Sequence, residues 1–301
     1  MKVFACDRFS FPLPPGHRFP VQKYTLLREA VLAAHLVRPE ELLVPDLATD
    51  EQLLRAHDTD YLRRVETGQL SPQEIRRIGL PWSPQLVQRS RCVVGGTIAA
   101  CRAALNEGIA VNLAGGTHHA FRDHGQGFCL FNDTIVAARA MQAEGRARRI
   151  VILDCDVHQG NGTAALAAED PTLFTFSIHN EENFPLHKVP SDLDIGLEDG
   201  AGNGAYLEAL RVGVQIALES AAADLAIYLA GADPYEEDTL GRLALTKAGL
   251  AARDRLVLER CRLAGLPVAI TLAGGYARDV RDTVEIHLQT VRIAAEMASR
   301  T

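Results

Sequence analysis

The chain has 301 residues, 47% of them hydrophobic and 23% charged, which is ordinary material for a globular protein with a large core. Its 38 acidic residues outnumber 31 basic ones for a net charge of -7, so a general nucleic-acid surface is not expected. No run of 18 apolar residues, no apolar leader behind Met1 and six cysteines without C-x-x-C spacing argue against a membrane span, a secretory signal and a disulfide framework, and imply reduced thiols in a cytoplasmic protein.

In chain order, the first hundred residues read mainly as helices. "KYTLLREAVLAAHL" and "DEQLLRAHDTDYLRRVE" repeat apolar residues every three or four positions. Pro72, Pro81 and Pro84 then mark irregular connections before a further helix in "SRCVVGGTIAACRAALNEG". Beyond this point short apolar runs alternate with amphipathic helices. Strands are predicted at 110–114, 149–153, 173–178, 225–230 and 268–273, with helices in "TIVAARAMQAEG", "GTAALAAE", "AYLEALRVGVQIALESA" and "AGLAARDRLVLERCRLAG". This alternation predicts one domain over 1–301 of α/β class, a three-layer α/β/α fold around a mostly parallel sheet.

Each predicted strand is followed by unusual polar residues. His118 and His119 follow the first, Asp154, Asp156 and His158 the second, Ser177 and His179 the third, Asp233 the fourth and Tyr276 the fifth. In open α/β sheets the carboxyl ends of strands form the ligand edge, so these residues should share a site. Asp156, His158 and Asp233 offer two carboxylates and one imidazole, the kind of three-ligand set that leaves a catalytic metal an open position. A divalent ion held there lowers the pKa of a coordinated water to roughly 7. One of the two histidines suits a general acid–base role and the other an orienting one. Asp154 can orient a histidine or face a monovalent cation, and the Tyr276 hydroxyl can donate to a polarised carbonyl.

Four segments, "GGTHHAFRDHGQGFCLFND", "LDCDVHQGNGTA", "LAGADPYEEDTLGRLALT" and "LAGGY", resemble in order and spacing the zinc-dependent histone deacetylases of the arginase–deacetylase superfamily. "HQGNG" and the short chain are most similar to the class IV branch and its bacterial relatives. The resemblance implies zinc on Asp156, His158 and Asp233, a mixed oxygen and nitrogen set that also suits ferrous iron, with His118 and His119 as a tandem dyad, His119 the principal base and acid, and Tyr276 polarising the carbonyl. It also implies a structural potassium ion shared by Asp154, Ser177 and main-chain oxygens of Asp156 and His158. An acyl-lysine tunnel would be lined by Gly127 and Phe128, with Phe184 opposite. Asn161 stands where class I members carry an aspartate, as in classes II and IV, and "GLPWSPQ" has no counterpart of the class I rim aspartate.

The implied reaction is hydrolysis of the amide of an Nε-acyl-lysine, in a protein or peptide, with acetylpolyamines or other acylated small amines as the second substrate class. "PYEED" sets Glu236, Glu237 and Asp238 beside a predicted ligand, where they are either a lure for cations or a solvated acidic loop. A dinucleotide site is the main rival: Gly160, Gly162 and Ala165 fit G-x-G-x-x-A, with Glu181 further on, yet Asp154 and Asp156 would crowd a pyrophosphate. A second match at Gly200, Gly202 and Ala205 follows charged "SDLDIGLED", where no strand is expected. A non-catalytic acyl-lysine binder would have lost a ligand, the dyad or Tyr276, and all are present. Nothing in the sequence sets an oligomeric state.

Overall fold

A computed structural model describes residues 1–299. Eight strands form one sheet: β1 (Val3–Phe4), β2 (Leu42–Leu43), β3 (Ile109–Asn112), β4 (Ile150–Asp154), β5 (Leu173–Asn180), β6 (Leu193–Leu197), β7 (Leu225–Leu229) and β8 (Val268–Thr271). Their order is β2-β1-β3-β8-β7-β4-β5-β6 and every neighbouring pair is parallel. All carboxyl ends therefore lie along one edge. The predicted three-layer parallel fold is the observed one.

The central strands read as continuous apolar runs because both faces are covered. Alternation along each strand divides the side chains between two cores. Val151 and Leu153 of β4, with Tyr228 of β7, pack into a core shared with α1 (Lys23–Ala33), α8 (Asn203–Ala221), α9 (Lys247–Leu263) and α10 (Val280–Ala298). Ile150, Ile152 and Ile227 face the other side, where α2 (Asp50–Leu53), α3 (Thr59–Thr67), α4 (Pro72–Ile78), α5 (Pro84–Glu107) and α6 (Asp133–Ala143) close a second core. Local sequence sets the helix ends. Ser71 and Glu74 form a reciprocal capping box at α4, and Ser83 caps α5 with Pro84 in its first turn.

Each of the five predicted strands is present, with ends within two residues of expectation. The structure adds β1 and β2 within the segment read as helical, two-residue strands too short to show a period. It adds α10 at the C-terminal end of the described chain. It also corrects the reading of "SDLDIGLED": Leu193–Leu197 is an edge strand. Only Leu193, Ile195 and Leu197 turn inward, so alternating charged and small residues meet solvent, which an edge strand permits. Among the described residues no helix is long and apolar enough to cross a membrane.

Both glycine motifs are closed to a pyrophosphate. At the start of α7 (Asn161–Ala167), Thr163 N–H goes to His118 O at 3.0 Å and Gly162 N–H to Asn161 Oδ1 at 3.0 Å. The Gly200 pattern does follow a strand, but Gly200 N–H is taken by Arg242 O at 2.8 Å and Ala201 N–H by Glu198 O at 3.2 Å.

Candidate active site

The loop after β3 carries the histidine pair and is fixed from below. Gly115 and Gly116 turn it with φ of +101° and +65°, and a side chain at Gly116 would meet Ala273. The buried Asp133 carboxylate, at the start of α6, accepts from Thr97 Oγ1 at 2.6 Å, Thr117 N at 2.7 Å and Gly116 N at 3.2 Å. Further along, His57 bridges the loop: its Nδ1 donates to Phe121 O at 2.9 Å while its Nε2 accepts from Asn132 N at 2.9 Å. Acceptance at Nε2 needs the neutral ring, and burial pushes the His57 pKa down to about 4.

At the ends of the neighbouring strands β4 and β7, Asp156, His158 and Asp233 converge in burial, with one ligand atom from each lying within 4.8 Å of the others. His158 Nδ1 is 3.0 Å from Asp156 Oδ1 and 3.4 Å from Asp233 Oδ2. The outer oxygens are held by the backbone: Asp156 Oδ2 accepts from Gly274 N at 2.8 Å and Asp233 Oδ1 from Val157 N at 3.0 Å. Asp233 Oδ2 is buried without a hydrogen-bond partner. A carboxylate oxygen left without a hydrogen bond beside an imidazole and a second carboxylate makes a donor set that a divalent cation fits. With the protein's own charges alone, burial and then the Asp156 charge raise Asp233 to about 7. For His158 the desolvation cost is outweighed by the hydrogen bond to Asp156 and by the nearby Asp233 carboxylate, which lift it to about 10.

His118 and His119 stand beside this cluster with ring centres 4.1 Å apart. Nδ1 of His118 meets Asp154 Oδ2 at 2.6 Å; Nδ1 of His119 meets the neutral amide oxygen of Asn161 at 2.8 Å. Burial opposes charge on both rings. For His118 the carboxylates of Asp154 and Asp156 outweigh it and raise the pKa to about 9. For His119 burial is reinforced by its cationic neighbours His118 and His158, so its pKa falls well below the usual histidine value. The Asp154 carboxylate thus favours the charged form of His118, while the surroundings of His119 favour its neutral form.

Tyr276 follows β8 on a loop held through its main chain. Its N–H goes to Asp238 Oδ2 at 2.6 Å, and its carbonyl accepts from Thr239 N at 3.1 Å and Thr239 Oγ1 at 2.7 Å. Asp238 also accepts from the N–H groups of Leu240 and Gly241 at 2.8 and 2.9 Å. Of the acidic trio in "PYEED", only Glu236 and Glu237 are therefore exposed; Asp238 turns inward as a loop clamp.

A cavity of about 390 Å³ joins the metal-ligand cluster, both dyad histidines and Tyr276 with Gly127, Phe128 and Phe184. Gly127 and Phe128 both have positive φ, +54° and +66°, and their N–H groups bond to Arg77 O at 3.1 Å and Ile78 O at 2.7 Å at the end of α4. A Cβ at Gly127 would meet His119 at 2.6 Å. The Phe184 ring lies edge-on to His119 at 4.9 Å, and the Phe128 ring 5.7 Å from Tyr276. The same cavity runs inward to Lys23, Tyr24 and Arg89. Arg89 is buried with Nη1 and Nη2 unpartnered and its guanidinium 4.1 Å from the Tyr24 ring centre. Asp154 and Ser177 are register partners on β4 and β5, and Ser177 Oγ is 2.9 Å from His179 Nδ1.

The structure thus brings Asp154, Asp156, His158, Asn161, Ser177, Asp233, Tyr276 and the two adjacent histidines to one strand edge, with Gly127, Phe128 and Phe184 around the opening. Sequence reasoning missed Asp133, Asp238, His57, Lys23 and Arg89. Arg89 carried no local signal, because it stands in the polar run "QRSR" beside Gln88, Ser90 and Arg91.

A profile described as "Histone deacetylase domain" matches residues 17–291. An uncharacterized protein of Picosynechococcus sp. is 46% identical over 286 residues, covering 95% of each chain. Histone deacetylase 2 of Arabidopsis thaliana is 28% identical over 282 residues, 89% of this chain and 73% of that protein. A crystal structure of an HDAC homolog from Aquifex aeolicus superposes with a TM-score of 0.85 over 100% of this chain and 84% of that one, at 24% identity, a likeness of fold.

Proposed function

The chain belongs to the histone deacetylase family, and on that premise we propose that it is a metal-dependent deacylase hydrolysing the amide of an Nε-acyl-lysine, in a protein or peptide, to free lysine and a carboxylate. Asp156, His158 and Asp233 would hold zinc, with ferrous iron a competitor for the same oxygen and nitrogen donors. When bound, the ion supplies a Lewis acid and a water of lowered pKa.

The rest of the chemistry belongs to side chains already in place. His119, neutral and oriented through Asn161, takes a proton at Nε2 from the attacking water and returns it to the leaving amine. His118, kept cationic by Asp154, offsets negative charge as it develops. The Tyr276 hydroxyl donates to the carbonyl oxygen as that oxygen gains charge. Gly127 gives the substrate stem room against His119, while Phe128 and Phe184 wall the entrance and keep water from it. Lys23 and Arg89 at the inner end suit the anionic product. Asp154 and Ser177 would hold the potassium ion beneath the dyad. Six buried free cysteines agree with a reducing cytoplasmic setting.

The observation that carries this reading is the pair of adjacent histidines beside the three-donor cluster, one held by the Asp154 carboxylate and the other by the neutral Asn161 amide. A binding module would need the cluster's shape but not that division of partners. A small-amine substrate is the second reading, favoured by the exposed Glu236 and Glu237 beyond Asp233. The test is turnover of acetyl-lysine peptides, longer-chain acyl-lysine peptides and acetylpolyamines by the metal-loaded protein, with a chelator-treated control. Turnover of acyl-lysine peptides that the chelator abolishes is expected. Turnover of acetylpolyamines alone would move the substrate to the small amines, and no turnover of any with a full metal complement would sink the hydrolase reading.

A further inference from the structure

Arg253 and Asp254 on α9 are among the most enclosed charged side chains in the described chain, with relative exposures of 0% and 1%. The Arg253 Nε donates to Asp254 Oδ1 at 2.9 Å, and Nη2 lies 2.8 Å from the same oxygen. Asp254 is held in turn by the Tyr228 hydroxyl and the Thr290 hydroxyl, both at 2.6 Å. The remaining arm of the guanidinium leaves this pair altogether. Its Nη1 donates to two main-chain carbonyls, Cys155 O at 3.3 Å and Gly231 O. Cys155 immediately precedes Asp156, and Gly231 is two residues ahead of Asp233.

A single nitrogen therefore ties together the two loops that carry the acidic members of the cluster, and it does so without lining the cavity. Such a pair is not explained by stability. Taking two charges out of water is costly, and replacing a buried ion pair by apolar groups is often neutral or stabilising. What the planar guanidinium supplies is direction: fixed donors aimed at two acceptors, which a flexible ammonium or an apolar side chain cannot reproduce. Metal-ligand distances tolerate only about 0.2 Å of error, so a brace between the ligand loops acts on the property that matters most.

We propose that Arg253, held by Asp254, is a positioning residue that sets the separation of the Asp156 and Asp233 loops and thereby the affinity and geometry of the metal they bind. The role rests on the reading that Asp156, His158 and Asp233 hold a divalent cation.

The test compares the full-length wild type with Arg253→Lys, Arg253→Met and the neutral pair Arg253→Met/Asp254→Asn, which keeps an acceptor for Tyr228 and Thr290. Thermal unfolding of the metal-free proteins is measured beside titration with cobalt(II), read from its visible absorption. The neutral pair should unfold near the wild-type temperature yet bind cobalt 10- to 100-fold more weakly and with an altered spectrum, the usual effect of losing a group behind a metal ligand. Arg253→Lys should recover part of the affinity. A folded neutral pair with unchanged affinity and spectrum would overturn the positioning role while leaving the metal site intact, and failure of every variant to fold would assign Arg253 to the fold itself. A wild type that binds no cobalt would overturn both.

Discussion

His118 and His119 are neighbours in the chain with unlike partners: a carboxylate at 2.6 Å in one case, an amide oxygen at 2.8 Å in the other. Asn161→Asp would place a carboxylate on the second ring as well. The sign follows directly. His119 acts as a base only when neutral, and an adjacent negative charge raises its pKa, so the acid limb of the kcat/KM–pH profile should move to higher pH by about one unit or more. An unmoved limb would separate His119 from the proton-transfer step.

Asp233 holds a single backbone amide, Val157 N–H, through Oδ1, and its Oδ2 makes no hydrogen bond, so its removal should be felt chiefly by the metal. Asp233→Ala should lose tightly bound metal and more than ~1000-fold in turnover while keeping a wild-type circular dichroism spectrum. Metal content by atomic spectroscopy decides the point, and a fully loaded, active variant would contradict the ligand assignment.

Tyr276→Phe keeps the ring that packs 5.7 Å from Phe128 and deletes only the hydroxyl. One donor to a developing oxyanion is worth ~3 kcal/mol, so kcat should drop ~100-fold with KM and metal content little changed. Steady-state kinetics on an acyl-lysine peptide provide the measurement; near-normal kcat would leave the hydroxyl without a role.

His57 carries the acid sensitivity of the histidine loop. Its folded-state pKa near 4 lies below the ordinary value of 6.5, so the unfolded chain binds the proton first as pH falls. Stability from this group is complete above pH 6.5 and is lost between there and pH 4. From pH 7 to pH 4.5 the wild type should lose about 2 kcal/mol more than His57→Gln in urea unfolding. Equal losses would mean that the ring is not held neutral.

The parts of this molecule legible in its sequence are those where chemistry and period coincide. Asp154, Asp156 and His158 could be read because a buried strand ends beside them, and Asp233 because a second such strand does the same. Asp238 was not legible: next to Glu236 and Glu237 it looked like one more solvated carboxylate, and only the fold turns it onto three backbone amides. Leu193–Leu197 was missed for the converse reason, since an edge strand needs only alternate apolar residues and its acidic flanks dominated the pattern. Arg253 lies in an amphipathic stretch whose other arginines are exposed or half-exposed, and nothing local marks it as the one that enters the core.

The parallel pairing of β4 with β7 aligns Asp154 with Leu229, so the two acidic ligands emerge from strands that touch. A slip of one position between those strands would send alternate side chains to the wrong layer and draw the carboxylates apart in the same movement. Were Asp156 and Asp233 to hold an ion as proposed, capture would inspect assembly: a chain that had miszipped its sheet would fail to bind it, and only correctly threaded molecules would gain the extra hold.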